Sequence, residues 1–337
     1  MACYDTIHLE KGMYAMPGKS FTQVLEELDD SAQYVGTPLE GLDAYQRQLK
    51  RFGIRVSGPD SDRLEKFFRS TSSAALFPEY VARAVRQGME SANHLGDIVA
   101  TVTTIDALDY RAITAESESE GTYGLEETAE QAELPVTTIH TQNGLVNLKK
   151  RGRLINSSYE ALRFHKLDVL TVLLRQIGVF IAASQTEDAV NTLLNGDGVN
   201  SGAKSTSLSA AMTYGDLIGL WGTLSPYRLN TMLAGTKTIQ EMLALDELKD
   251  ATAGNNFHGT GSLCTPLGAK LIHVPGMAEN KVIGLDHTCA LEMAQAGGVL
   301  TDYDKLIDRQ LDRAAVSTIT GYAILFPDAA HVLNGQA

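Results

Sequence analysis

Leu154-Ile155-Asn156-Ser157-Ser158-Tyr159-Glu160 leads into a long apolar-rich stretch that closes with Leu193-Leu194-Asn195-Gly196-Asp197-Gly198. Between them Leu170, Leu173, Leu174, Ile177, Phe180, Ile181 and Val190 recur at helical spacing, continued by Leu193 and Leu194. The spacing predicts a helix over 168–194, about 40 Å long at the usual rise. Asn195-Gly196 is a suitable stop, because both residues tolerate the left-handed cap.

Working upstream, Lys149, Lys150, Arg151 and Arg153 form a basic knot. It reads as a solvated strand end or as a partner for acid on another subunit. Before it, Ile113 to Glu133 carries Glu116, Glu118, Glu120, Glu126, Glu127, Glu130 and Glu133, with no Lys or Arg. That segment reads as a solvated acidic loop or as one lying across a basic neighbour. Val, Thr and Ile in 98–110 and 134–148 predict strands. With the acidic insert between them, they read as a long β-hairpin.

Further out, residues 1–76 are polar and turn-rich, with short helices predicted over 21–28 and 42–52. Their apolar positions are too few for an independent core. They are expected to form an extended arm, with partners on the chain's own body or on a neighbour. Phe77-Pro78-Glu79-Tyr80 opens a helix, with proline in the first turn where its missing N–H costs nothing. Downstream, helices are predicted over 217–224 and late in 228–245, strands over 270–275 and 281–285, a helix over 288–295 and a strand over 315–326. The class is α+β.

With 337 residues, 44% of them hydrophobic, the chain can bury a sizeable core and is no disordered polymer. A net charge of −13 lacks the basic footprint of a free nucleic-acid binder. It leaves room for a container that confines its cargo with walls. Cys3, Cys264 and Cys289 give no disulfide framework and point to a reducing compartment. Met1 to Thr6 lacks the features of a signal peptide. The most apolar window, Val169 to Ala183, is broken by Arg175 and Gln176. It falls short of the roughly 20 apolar residues of a membrane span. A soluble intracellular chain with no membrane partner is expected.

Motifs for chemistry are missing. No Gly-x4-Gly-Lys-Ser/Thr loop occurs, and the glycine-rich run 196–202 follows a helix instead of preceding one. A phosphate cradle needs the opposite order. There is no Gly-x-Ser-x-Gly elbow. His258, Cys264, His287 and Cys289 have spacings unlike a zinc knuckle. Asp302, Asp304 and Asp308 read as a charged surface near a helix start. No catalytic, cofactor-binding or metal-binding residue is expected, and the chain is expected not to be an enzyme.

The order of arm, helix, strand, long hairpin loop, basic strand, long helix, mixed α/β region and returning strand resembles the major capsid proteins of tailed phages. These have the Hong Kong 97-type fold. Leu148 to Gly198 carries most of the likeness. Gly284-Leu285-Asp286 resembles a strand-and-aspartate element of the axial domain. Gly321 to Ala329 resembles the closing strand of the peripheral domain, and Phe77-Pro78-Glu79-Tyr80 is similar to capsid proteins of prophages in Gram-positive bacteria.

The resemblance implies a domain plan. Residues 1–76 would be the N-terminal arm, 77–112 the first part of the peripheral domain and 113–147 the extended loop over an adjacent subunit. Residues 148–204 would be the peripheral domain with its spine helix, 205–295 the axial domain, and 296–337 the closing strand and C-terminus. It further implies homo-hexamers and homo-pentamers in an icosahedral shell, assembled in the bacterial cytoplasm around double-stranded DNA held without specific binding. Portal, scaffold and cement proteins would be further partners. An encapsulin-type nanocompartment storing protein cargo is the alternative. Some family members cross-link through a lysine in the extended loop, but no lysine lies between Lys66 and Lys149. No covalent network through that loop is expected. The Met1 start leads to the expectation that the arm is retained.

Overall fold

The computed structural model describes residues 4–16, 19–107, 109–117, 137–158, 165–249, 267–306 and 311–335. Helices of two turns or more are α1 (Phe21–Leu28), α2 (Ala44–Arg51), α3 (Phe77–Ser91), α4 (Leu167–Asn195), α5 (Tyr214–Thr223) and α6 (Thr236–Leu243). The strands are β1 (Thr101–Ile105), β2 (Ile113–Ser117), β3 (Thr137–Thr141), β4 (Lys149–Ser158), β5 (Lys204–Ser207) and β6 (Thr231–Ala234). They continue with β7 (Lys270–His273), β8 (Lys281–Leu285), β9 (Leu291–Ala296), β10 (Leu300–Leu306), β11 (Leu311–Ile324) and β12 (Ala330–Asn334). The chain divides into two compact units. The first is Met1–Ala92, Arg151–Ala182 and Val299–Thr318; the second is Asn93–Lys150, Ala183–Gly298 and Ile319–Ala337.

In the first unit the N-terminal segment is folded, not extended. Ser20 and Asp43 start α1 and α2 with capping boxes, each completed by a glutamine three residues on. Phe21, Val24, Leu25, Tyr45, Leu49 and Phe67 are buried in one core with Phe77, Tyr80 and Val85 of α3 and Leu167, Leu174 and Ile181 of α4. Of the two places the sequence left open for the partners of 1–76, the structure has them on the chain's own body.

A buried ion pair stands in for the apolar side chains this segment lacks. Arg47 Nε donates to Asp29 Oδ2 at 2.7 Å, and both side chains are fully buried. The Arg47 guanidinium lies 4.3 Å from the centre of the Tyr34 ring and also donates to Ser31 Oγ and the Leu42 carbonyl. Such a pair is tolerated inside only when its donors are satisfied, as they are here.

Helices α3 and α4 cross with their backbones in contact. A Cβ on Gly88 would lie 2.0 Å from the Arg175 carbonyl oxygen, and one on Gly178 2.1 Å from that of Val85. Only glycine fits at either position. The Tyr80 hydroxyl fastens the pair by donating to the Leu167 carbonyl at 2.8 Å. β10 runs antiparallel to β11 from Leu300↔Ser317 to Leu306↔Leu311, and β4 also pairs with β11. Asp302 and Asp304 therefore lie on a strand and not near a helix start; Asp308 lies outside the described residues.

The second unit is built on a sheet of order β5-β12-β8-β6-β7. Successive strand residues face opposite sides, and here both sides are covered. Leu233, Ile272 and Ile283 face a core containing Leu95, Ile98, Ala189, Val190 and Leu193. Met232, Ala234, Leu271 and Val282 face one containing Leu217, Leu220 and Leu224 of α5 and its exit, and Ile239 and Met242 of α6. This explains why Met232-Leu233-Ala234 is apolar without alternation. β12, which the sequence reading did not place, lies between β5 and β8.

β9 corrects the sequence reading of residues 288–295. It is a strand, parallel to β1 and antiparallel to the end of β11. Leu291 and Met293 enter one core and Ala294 another. Glu292 is buried between the Thr103 and Tyr110 hydroxyls, both of which donate to its Oε1.

The hairpin is also shifted. Its first strand is β2, paired with β3 from Ile113↔Thr141 to Ser117↔Thr137, whereas residues 101–105 belong to β1.

Candidate assembly surfaces

The acidic and basic segments are the sequence's own candidates. Glu116 lies on β2 opposite Thr138. Glu118, Glu120, Glu126, Glu127, Glu130 and Glu133 lie outside the described residues. Lys149, Lys150, Arg151 and Arg153 all lie on β4. Lys149 has a partner on its own chain, Asp188 of α4, at 2.8 Å. Asp188 is 3% exposed, so this pair fixes β4's first residue within the second unit. Lys150 and Arg153 are exposed, and Arg151 is half-buried.

Sequence reasoning missed a second feature. The first half of α4 turns Val169, Val172, Leu173 and Phe180 outward, each between 54% and 59% exposed. Leu174 and Ile181 face inward. The exposed side of this half therefore mixes four large apolar residues with Asp168, Arg175 and Gln176, where a surface helix would be mostly polar. Its 29 residues are long and apolar enough to cross a membrane by length and composition, with mean hydropathy 1.7 over the most apolar window. The sequence reading set aside a membrane span here, because the window 169–183 is broken by Arg175 and Gln176 and falls short of the roughly 20 apolar residues a span needs. Along this helix Leu167 and Leu174 enter one protein core and Ala189, Val190 and Leu193 another. The signal was present in the sequence as the scarcity of polar residues in 167–183. α5 adds Ile218 and the chain's single tryptophan, Trp221, at 46% and 56% exposure.

Two polar sites lie in the second unit. Asp286 is buried and accepts from Arg228 N, Asn230 Nδ2, Thr288 N and Thr288 Oγ1 at 2.6–3.1 Å. Burial alone would raise its carboxyl, but hydrogen bonds from Thr288, Arg228 and Asn230 outweigh it and hold the group below the usual carboxylate range. Beside it, burial pushes the Cys289 thiol up to about 11, and the Asp286 charge adds to the effect. Such a thiol is a poor metal ligand. His258 and Cys264 lie outside the described residues. Among the described residues no group of three or more His, Cys, Asp or Glu is placed to hold a metal ion.

The other site is a cavity of about 260 Å³ between the last turns of α4 and β11, lined by Lys149, Asp188, Asn191, Asn195, Thr320 and Tyr322 among others. Gly196 closes α4 with φ +91°, the left-handed stop its sequence implied. Asp197 then accepts the N–H groups of Val199, Asn200 and Ile324, which fixes the floor of the cavity.

Neither a protein-family model nor a curated protein sequence matches the chain. Solved structures do. A virus-like particle from Pyrococcus furiosus is similar with TM-score 0.51 and 16% identity, covering 76% of this chain and 98% of that one. The capsid of a native GTA particle is similar with TM-score 0.52 and 15% identity, covering 73% and 91%. A structure from Mycobacterium phage Che8 is similar with TM-score 0.50 and 13% identity, covering 66% and 84%. At these identities the likeness is one of fold.

Proposed function

The chain has the Hong Kong 97-type capsid fold, and on that premise we propose that it is the structural subunit of a self-assembling shell. The observation that carries the reading is the outward apolar row on α4. Val169, Val172, Leu173 and Phe180 make a surface that a lone subunit leaves wet, in a fold shared with capsid proteins. In its finer form the proposal is a tailed-phage major capsid protein, located in the virion. Copies would form hexamers and pentamers, with α4 as spine helix, 113–147 as extended loop and 205–295 as axial domain. The shell would close around double-stranded DNA without specific binding. The net charge of −13 suits a wall that contains DNA without gripping it.

The charged segments supply a specific contact within this reading. The glutamates of 116–133 would face Lys150, Arg151 and Arg153 of a neighbouring copy. Lys149 would contribute less, because Asp188 already engages it. Each exposed pair is worth only about 0–1 kcal/mol, but the contact repeats across a shell. Replacing Lys150 and Arg153 with glutamate should lower the assembled fraction, and added salt should weaken wild-type assembly. Normal assembly of that variant would remove the pairing.

Negative-stain microscopy and sedimentation of the full chain, alone and with its scaffold, test the shell itself. Closed particles are expected; a chain that stays monomeric in both conditions overturns the proposal. Nuclease-protected DNA inside native particles supports the phage form. A protein cargo without DNA supports the nanocompartment instead.

A further inference from the structure

Three steps of the chain read Asn-Gly: Asn143-Gly144, Asn195-Gly196 and Asn334-Gly335. An asparagine followed by glycine can react with its own main chain. The glycine nitrogen attacks the side-chain carboxamide carbon, and the glycine has no side chain to obstruct or stiffen the approach. The attack needs that nitrogen free and within about 3–3.5 Å of the carbon. A nitrogen held in a hydrogen bond reaches that position only after the local structure opens.

The fold treats the three steps differently. Asn195 is the last residue of α4, and the Gly196 N–H donates to the Thr192 carbonyl at 2.8 Å. Asn334 ends β12, aligned with Ser207 on one side and Lys281 on the other, and the Gly335 N–H donates to the Asn280 carbonyl at 2.6 Å. Asn143 lies just beyond β3 and is exposed. Its flanks are anchored: the Gln142 N–H donates to the Ala112 carbonyl at 2.8 Å, and that of Val146 to the Tyr110 carbonyl at 2.9 Å. Between these anchors the N–H groups of Asn143, Gly144 and Leu145 have no hydrogen-bond acceptor among the described residues. A Cβ on residue 144 would lie 2.2 Å from Val199 Cγ2, so packing at this bend favours the glycine that the reaction needs.

We propose that Asn143 is a self-modification site, converted by the Gly144 nitrogen while the fold protects the other two asparagines. The Gly144 nitrogen gives its proton to solvent and bonds to Asn143 Cγ. The Cγ–Nδ2 bond breaks and ammonia leaves. Water then opens the five-membered imide at either carbonyl, leaving aspartate or isoaspartate. Water is the co-reactant, and nothing is oxidised or reduced. The product places a new negative charge directly after β3. In its isoaspartate form it also adds one main-chain carbon between the two anchors that tie this bend to 110–112. The reaction needs no second copy, so it stands apart from the shell reading.

The test ages the full chain, folded, in mildly alkaline buffer. Peptide mass spectrometry then follows each of the three sites, and isoaspartyl methyltransferase labels the intact protein. Asn143 is expected to convert about tenfold or more faster than Asn195 or Asn334, with isoaspartate in its peptide. Asn143→Gln should abolish the fast labelling and leave the melting temperature unchanged, as an exposed position allows. In guanidinium chloride the three sites should convert at similar rates, because nothing then protects Gly196 and Gly335. Three results overturn the proposal: no conversion at Asn143 in the folded chain, conversion at Asn195 or Asn334 as fast as there, or the same preference for Asn143 in denaturant. If Asn143→Gln fails to fold, the rates in the wild-type chain still decide. A chain that never assembles removes the shell reading and leaves these rates as they are.

Discussion

The two halves of α4 are built with opposite polarity. The first half puts Val169, Val172, Leu173 and Phe180 into solvent. The second half buries Gln185, Thr186 and Asp188, each 3–4% exposed, and leaves Asn191 and Asn195 outside. One half has apolar groups where water should be; the other has polar groups where water is excluded. The buried polar groups of the second half find partners, as Asp188 does in Lys149. The apolar groups of the first half find none that would remove them from water. A single helix is therefore covered by its own chain at one end and left exposed by it at the other.

The sharpest way to break this contrast is to charge the outward row. Leu173→Asp with Phe180→Asp should cut the assembled fraction about tenfold or more, as loss of a buried anchor does. Each change should move the subunit's own stability by only about 0.5 kcal/mol, as exposed positions allow. Sedimentation and thermal melting read the two effects separately. A variant that unfolds would mean the row is already used within the subunit, and the contrast would vanish.

A smaller effect sharpens it from the inward side. Gly178→Ala should cost about 1–3 kcal/mol by overpacking against Val85. Denaturant unfolding would show it as a lower midpoint, and an unchanged midpoint would mean the α3–α4 crossing yields more readily than its geometry implies. The smallest effect concerns the polar interior of the second unit. Asp286→Asn should cost about 1–2 kcal/mol near neutrality, the scale of a charge-assisted hydrogen bond. The folded carboxyl titrates below its unfolded value, so its stabilisation is present above about pH 4 and lost as pH falls through the folded value. The gap between wild type and variant should therefore close in acid; a gap that persists there would place the effect in shape and not charge.

Local signals in the sequence were enough for α4, α3 and the strands 270–273 and 281–285. In α4 and α3 the apolar period, a glycine stop and a first-turn proline all agree. They failed where tertiary pairing overrode propensity. Ala290 to Ala296 is rich in helix formers, yet β1 and β11 flank it and two hydroxyls donate to its glutamate. The N-terminal segment misled for a different reason. Its core is completed by a charge pair, and counting apolar residues cannot register the contribution of Arg47 and Asp29. The exposed row on α4 was legible as a helix with few polar residues in its first half. The cavity was not, because Lys149, Asp188 and Tyr322 are far apart in sequence and meet only once β4, α4 and β11 have been placed.

The chain passes between its two units five times, at 92/93, 150/151, 182/183, 298/299 and 318/319. Three of these passages fall inside β4, α4 and β11, and not in loops. Neither unit can be excised as one continuous fragment, and no single loop joins them that recombination could exchange. Shuffling between related genes would have to cut through a helix or a strand ladder, so the two units are bound to be inherited together.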